Sequence, residues 1–553
     1  MPHLRRPLAA LLGLLALSAG PVLAQPPAAE DSFAEAIQVN VVNLDVFVSD
    51  RQGKPVVGLR AEDFAVTEDG RAVRITNFYT EKREPAAAAG AAGGKATAER
   101  PADQRLRLVV YLDDVNTEPG SRGRILDRLS GFLHQELAPG DEVMLVRYAQ
   151  KLDVRRAFTS DLGLIDSDVA VLKGQASDMK KYEESRDHAI DDVIDAIYAG
   201  EGWGPLAEGR IRAWAEQESA VVRGALAALD GVVSWLAGVP GRKAILYVSD
   251  GLPLTPGADL FTWASMRSSY RGGGKVSGLS GQEFDLSKRF REVTSHASRN
   301  RITIYPIEAY GTRVVRGTAL QEVLVSNRQN GLRFLAEDTG GRAMLNAADP
   351  QAALRLMSED LTTYYSLGYT PERPGDGAEH KVEVKVRVKG AHVRHRQWYR
   401  DKPVGEAVAE RTLAVMRFGP EDNPLGASLE IEPPKQQQNG ATLVAVRVKV
   451  PIAKLYLQAK DEAKDKTRTG RLRLYVVAST GGATTPVRET KMVTVELPEA
   501  EAAAGSKREY VHDVGIPLQA GSWSIGVAVR DELAATTSYL RKDFTVPGGA
   551  VGR

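Results

Sequence analysis

Between Ile37 and Ser49 (IQVNVVNLDVFVS) β-branched and apolar residues alternate with polar ones, the period-two pattern of a strand. Turn chemistry follows at Asp50 to Pro55 (DRQGKP), then a strand at Asp63 to Thr67, a turn at Glu68-Asp69-Gly70 and a strand at Ala72 to Tyr79. These short strands predict a small β module over residues 35–83. Residues 84–104 are Ala- and Gly-rich without apolar periodicity, which predicts a linker.

From Leu106 strands alternate with helical spacing, the signature of a parallel sheet flanked by helices. Leu106 to Leu112 (LRLVVYL) is nearly continuously apolar, as a strand buried on both faces must be. Ile125, Leu126, Leu129, Phe132, Leu133 and Leu137 recur at helical spacing, and Pro139-Gly140 stops that helix. Further strands are predicted at Glu142 to Tyr148, Lys243 to Val248 and Arg301 to Ile307, with a helix over about Ala220 to Leu236. Two more helices, Leu332 to Glu337 and Asp349 to Tyr364, and an alternating strand at Lys381 to Val388 complete a domain set at 105–400. Within it, about 161–212 is polar and helical and is expected to be an insertion, and 251–286 is a long Gly- and Ser-rich excursion. A linker over 401–424 leads to alternating runs separated by Pro, Gly and Lys-rich turns over 425–548, which predict a C-terminal β-sandwich. The fold class is therefore multidomain α/β plus β: a central doubly wound, mostly parallel sheet of Rossmann-type topology between two β modules.

Arg5 and Arg6 precede an apolar run, Leu8 to Ala19, and Val22-Leu23-Ala24 before Gln25 has the form of a cleavage site. This predicts a secretory signal over residues 1–24 and an exported, periplasmic or secreted protein. A membrane anchor is the alternative, but the run is short of the ~20 residues a spanning helix needs. Gly224 to Gly238, the other apolar stretch, carries Asp230 and stops at Pro240, so no transmembrane span is expected in the mature chain.

The 553 residues carry 72 Lys plus Arg against 71 Asp plus Glu, a balance that argues against a nucleic-acid partner. The chain has no cysteine, which removes disulfides, thiolate nucleophiles and Cys-ligated metals. There is no Gly-x-Ser-x-Gly elbow and no His-Glu-x-x-His helix. Gly272-Gly273-Gly274-Lys275 lacks phosphate-loop spacing, with Val276 where a hydroxyl is required, and reads as a loop. His392 and His395 lie on a predicted strand at a spacing that turns them to opposite faces. Tyr364-Tyr365, at a helix-to-strand junction, is expected to pack in the core.

Ligands of open α/β sheets bind beyond the carboxyl ends of the strands. Asp113, Asp114, Asn116 and Thr117 follow the first of these strands, and Ser249-Asp250-Gly251 follows the one at Lys243. Oxygens converging from two strand ends could hold a hard divalent cation, Mg²⁺ or Ca²⁺. The alternative is that these residues cap helices and turns and hold no metal.

LRLVVYLD ending at Asp113, Pro139-Gly140-Asp141, GRKAILYVSDG (Gly241 to Gly251) and ITIYPIEAYG (Ile302 to Gly311) together resemble a von Willebrand factor type A domain. With Val42 to Gly70, LAEDTGGRAMLN (Leu335 to Asn346) and YYSLGYTP (Tyr364 to Pro371), the chain is similar to the VWFA-related family common in exported acidobacterial proteins. The resemblance covers roughly residues 36–400. It implies a metal-ion-dependent adhesion site in which Asp113 matches the first Asp, Thr117 the second hydroxyl and Asp250 the late Asp. Val115 stands where the first Ser belongs, and Asp114, Asn116 and Glu118 offer a second register of oxygens. Such a site would recognise a protein partner through an acidic side chain that completes the cation's shell. The expected function is thus non-enzymatic binding or adhesion. The alternatives are a Mg²⁺-dependent phosphohydrolase of haloacid-dehalogenase type, which lacks its second acid here, and a metal-free scaffold of an envelope assembly.

Overall fold

The alternating run predicted first is β1 (Val42–Ser49), followed by β2 (Phe64–Glu68), β3 (Arg71–Val73) and β4 (Ile75–Lys82). The computed structural model describes residues 41–82, 105–175, 179–199, 205–270, 281–310, 319–419, 422–436, 442–459, 467–480, 487–502 and 508–547. The predicted signal, the 84–104 linker and Gly272 to Lys275 lie outside them.

The α/β layer is built from β5 (Leu106–Asp113), α1 (Pro119–Glu136), β6 (Glu142–Ala149), β7 (Lys151–Thr159), α2 (Leu162–Lys173), α3 (Met179–Ala199), α4 (Pro205–Leu236) and β8 (Arg242–Ser249). It continues through α5 (Ala258–Tyr270), α6 (Ser287–Arg299), β9 (Ile302–Glu308), α7 (Ala319–Glu337) and α8 (Pro350–Thr362). The strand order is β7-β6-β5-β8-β9, with β6, β5, β8 and β9 parallel and β7 antiparallel to β6. This is the doubly wound arrangement, with the order reversing between β5 and β8. Every residue of β5 is buried because alternate side chains feed two cores. Leu108, Val110 and Leu112 pack with α1, α2 and α8, whereas Val109 and Tyr111 pack with α4, α6 and α7. By length and composition α4 could cross a membrane. Here its Val222, Leu226, Leu229, Val233 and Leu236 lie in the core of the second face.

Two expectations are corrected, and one strand, β7, is additional to those predicted. β7 is a strand where the polar sequence gave no clear signal, because an edge strand needs only one half-buried face. The insertion does not run over 161–212: α2 packs against the sheet, and only α3 with the first half of α4 stands apart. Val193, Ile211 and Trp214 share a small core there with Leu260, Phe261 and Phe284, so α5 and the segment at Phe284 join that helical unit, while Leu252 and Leu286 pack in the core of the sheet's second face.

The larger correction concerns the N-terminal module. β10 (Thr363–Tyr369), β11 (Glu379–Val386), β12 (His392–Arg394) and β13 (Trp398–Arg400), assigned from sequence to the α/β domain, pair instead with β1 to β4. Two sheets, β12-β1-β10-β4 and β13-β11-β2-β3, enclose Leu44, Val46, Phe64, Val66, Tyr365, Leu367, Val382 and Tyr399. The α/β layer is thus inserted into a discontinuous β-sandwich, whose core is shared between the inner faces of both sheets. Arg394 grips Asp360 of α8 with two bonds of 2.8 and 2.6 Å, and Arg242 of β8 lies 4.1 Å over the Tyr364 ring. These contacts fix the sandwich to the layer.

The expected 401–424 linker contains a helix, α9 (Val404–Phe418), whose Val408, Val415, Leu413 and Met416 pack on the C-terminal strands. Those strands are β14 (Ser428–Ile431), β15 (Lys435–Gln436), β16 (Thr442–Pro451), β17 (Gln458–Ala459), β18 (Thr467–Ser479), β19 (Val487–Pro498), β20 (Glu509–Leu518), β21 (Gly521–Asp531) and β22 (Thr536–Val546). They form two sheets over one core, as the alternation predicts.

Candidate functional site

The carboxyl ends of β5 and β8 lie side by side, so the backbone brings Asp113, Asp114, Asn116, Thr117 and Asp250 together. None of the five is more than 1% exposed. Burial at this level makes partners for the polar atoms costly to omit, and apart from Asp114 Oδ1, which makes no hydrogen bond, the bonds below define the site.

Asp113 accepts a hydrogen bond on Oδ2 from Tyr247 Oη at 2.5 Å and from Asn116 Nδ2 at 2.9 Å. Its Oδ1 accepts from the Asn116 N–H at 3.3 Å. Burial pushes the Asp113 carboxyl up to about 6, and the bonds from Tyr247 and Asn116 keep it from rising further. Asp114 points the other way: its Oδ2 accepts from Arg122 Nη1 at 2.6 Å and from Arg147 Nε. Arg122 is itself buried and also donates to the Gln175 carbonyl, tying α1 to the end of α2.

Thr117 Oγ1 donates to the Asp113 carbonyl at 2.6 Å. Asp250 Oδ2 accepts from the Glu118 N–H at 2.8 Å, immediately before α1, where a carboxylate also meets the positive end of the helix dipole. The Asp250 N–H donates to the Asn116 carbonyl at 2.8 Å, so the two strand ends are cross-linked in both directions. Ser249 Oγ accepts from the Gly251 N–H at 3.1 Å. Gly251 takes φ +114°, and a Cβ there would lie 2.7 Å from Arg328 Cβ, so only glycine fits. Beyond it the chain is clipped to α7: the Leu252 N–H donates to the Arg328 carbonyl at 3.2 Å, and Asn327 Nδ2 donates to the Thr255 carbonyl at 2.7 Å.

Val115 is apolar and packs against the core of the second face. Asp114 is matched to two guanidinium groups, and both oxygens of Asp113 accept bonds from neutral donors. What the arrangement does chemically is neutralise Asp114 with two guanidinium groups, hold Asp113 and Asp250 with neutral donors, and lock two strand ends to α1. Tyr247, Arg122 and Arg147 were not legible as site residues, because each is an ordinary strand or helix residue until the sheet places it over Asp113 or Asp114.

His392 and His395 form no pair: His395 is turned inward, accepting from the Val384 N–H on Nε2 at 3.2 Å with Nδ1 2.7 Å from the Arg396 carbonyl. Tyr365 is a core residue whose Oη donates to the Val56 carbonyl at 2.8 Å.

No family model matches this sequence, and no curated protein matches it. Solved structures similar to it include an aerotolerance-related membrane protein from Bacteroides fragilis (11% identity, 46% of this chain and 98% of that one, TM-score 0.20). BatB from Bacteroides thetaiotaomicron matches at 10% identity over 47% of this chain and 97% of its own, with TM-score 0.21. The manganese-loaded TRAP protein of Plasmodium vivax matches at 10% identity over 59% of this chain and 98% of its own, with TM-score 0.22.

Proposed function

We propose that this is an exported, non-enzymatic binding protein in which a type A-like α/β layer acts as a metal-independent scaffold between two β-sandwiches. A protein partner then meets its outer surfaces rather than the strand-end carboxylates. One observation carries this reading: Asp113, Asp114 and Asp250 are buried and matched to Tyr247, Asn116, Arg122, Arg147 and the Glu118 amide. With Asp113, Asp114 and Asp250 buried and held by internal donors, this reading puts recognition on other surfaces of the protein. Export is supported by the Arg5-Arg6 and Leu8 to Ala19 pattern.

The test compares wild type with Asp113→Ala and Asp250→Ala in calorimetric titrations with Mg²⁺, Ca²⁺ and Mn²⁺, and in release of phosphate from generic phosphoesters. The scaffold reading expects isotherms that neither substitution changes and no turnover. A Mg²⁺ or Ca²⁺ isotherm abolished by both substitutions with the fold intact would restore the adhesion site. Turnover lost in Asp113→Asn would make the protein an enzyme.

A further inference from the structure

A second polar constellation lies in the discontinuous sandwich, outside the α/β layer. Glu68 ends β2, Asp69 begins the turn to β3, and His380 stands on β11, which pairs with β2. One ligand atom of each lies within 4.8 Å of the others. His380 Nδ1 is 2.8 Å from Asp69 Oδ2 and 3.8 Å from Glu68 Oε1, while Nε2 is 3.2 Å from Asp376 Oδ1. Glu68 and His380 are each 7% exposed.

Within hydrogen-bond reach the carboxylates share one imidazole, while Arg373 acts on Asp69 and Asp376 only at longer range. Three carboxylates converge on one imidazole, which supplies at most one positive charge, and the Nδ1 proton can serve Asp69 or Glu68 but not both. Among the described residues no Lys or Arg pairs with Glu68; its Oε2 accepts from the neutral Tyr399 Oη at 2.9 Å. A buried carboxylate without a cation is costly. In addition, the wholly buried Tyr369 Oη, facing Glu68 and Tyr399, makes no hydrogen bond of good geometry to either. Beside Glu68, Asp69 and His380 is a cavity of about 170 Å³ that Arg71, Val73, Glu372 and Arg373 also line.

We propose that Glu68, Asp69 and His380 Nδ1 form a Zn²⁺ site with its remaining coordination position turned to this cavity. One imidazole and two carboxylates are a recognised zinc donor set, and an open position is the mark of a site that takes a further ligand. The surroundings match what such ligands need. Asp376 on Nε2 keeps the proton there and frees Nδ1 for the metal, and Tyr399 orients Glu68. The strand-end carboxylates take no part.

The experiment is calorimetric titration of the chelator-stripped, tag-free full chain with Zn²⁺, with Mg²⁺ as the hard-cation control, and Co²⁺ absorption as a readout of coordination. Wild type should bind one Zn²⁺ saturably and far more tightly than Mg²⁺. His380→Ala should lose this, and so should Asp69→Asn, which alters a side chain that is half exposed and so tests the site without disturbing the core. Asp376→Asn should weaken binding about 10- to 100-fold, whereas Asp113→Ala should leave it unchanged. Absence of saturable Zn²⁺ binding, or an isotherm that Asp69→Asn leaves intact with the fold preserved by circular dichroism, would overturn the assignment.

Discussion

Val46 and Tyr365 stand directly opposite each other in an antiparallel ladder, although the whole α/β layer lies between them in the chain. Each is buried, and each needs the other's strand to be so. A fragment beginning at residue 105 would keep β10 and β11 but lose the strands that cover Tyr365, Leu367, Val382 and Val384. It is expected to self-associate, as an uncovered sheet edge and apolar face dictate. Light scattering of fragment and full chain checks this, and a monomeric fragment with a cooperative melt would contradict it.

Asp114 is the shared partner of Arg122 and Arg147. Asp114→Ala leaves a guanidinium buried without its counter-charge, so urea unfolding should show a loss of about 3–5 kcal/mol. A loss under about 1 kcal/mol would mean that the arginines find other acceptors.

Tyr247→Phe removes the 2.5 Å donor to Asp113. Asp113 titrates at about 6 in the folded chain and at its ordinary 3.8 when unfolded, so its penalty on the fold builds between these values and is full above about 6. Removing the donor raises the folded value further. The cost should therefore be small at pH 5 and reach about 1–3 kcal/mol near pH 8. Equal costs at the two pH values would place the tyrosine's role in packing alone.

Burial pushes the Lys243 amine down to about 7, with Arg301 and Lys402 adding to the effect, while its Nζ donates to the Val239 carbonyl at 2.9 Å. Between pH 7 and the ordinary lysine value of 10.5 the unfolded chain holds the extra proton, so this group's penalty is full below pH 7 and fades as pH rises. Lys243→Met should stabilise the protein by at least about 1 kcal/mol at pH 6 and progressively less toward pH 10. A gain independent of pH would show that the amine keeps its ordinary lysine value in the folded chain.

Gly331 sits inside α7, where alanine would ordinarily gain about 1 kcal/mol in helix propensity. A Cβ there would stand 2.1 Å from the Leu252 carbonyl oxygen. Gly331→Ala is expected to destabilise by about 2 kcal/mol despite the propensity. A raised melting temperature would mean that the segment over the strand ends shifts freely.

Local pattern alone carried β5, β6, β8 and β9, because a strand buried on both faces leaves an uninterrupted apolar run, and α1, because its buried stripe repeats at helical spacing. The convergence of Asp113 and Asp250 was legible too, since ligands and polar residues gather at the carboxyl ends of adjacent parallel strands. Helix α9 was missed although Val408, Leu413, Val415 and Met416 mark an apolar face, because Pro403 and the Gly419-Pro420 pair framed it like a linker.

What the sequence by itself determined was therefore the kind of each long element and the grouping of acids at two strand ends, both consequences of short-range spacing. Only the tertiary structure decided which strands complete the first sandwich, because β1 carries no mark of choosing β10 over β3 until the α/β layer folds between them. The same holds for the carboxylates: whether Asp113 and Asp114 face a cation or Tyr247, Arg122 and Arg147 depends on side chains brought near by sheet register and helix packing, and no spacing along the chain encodes that distance.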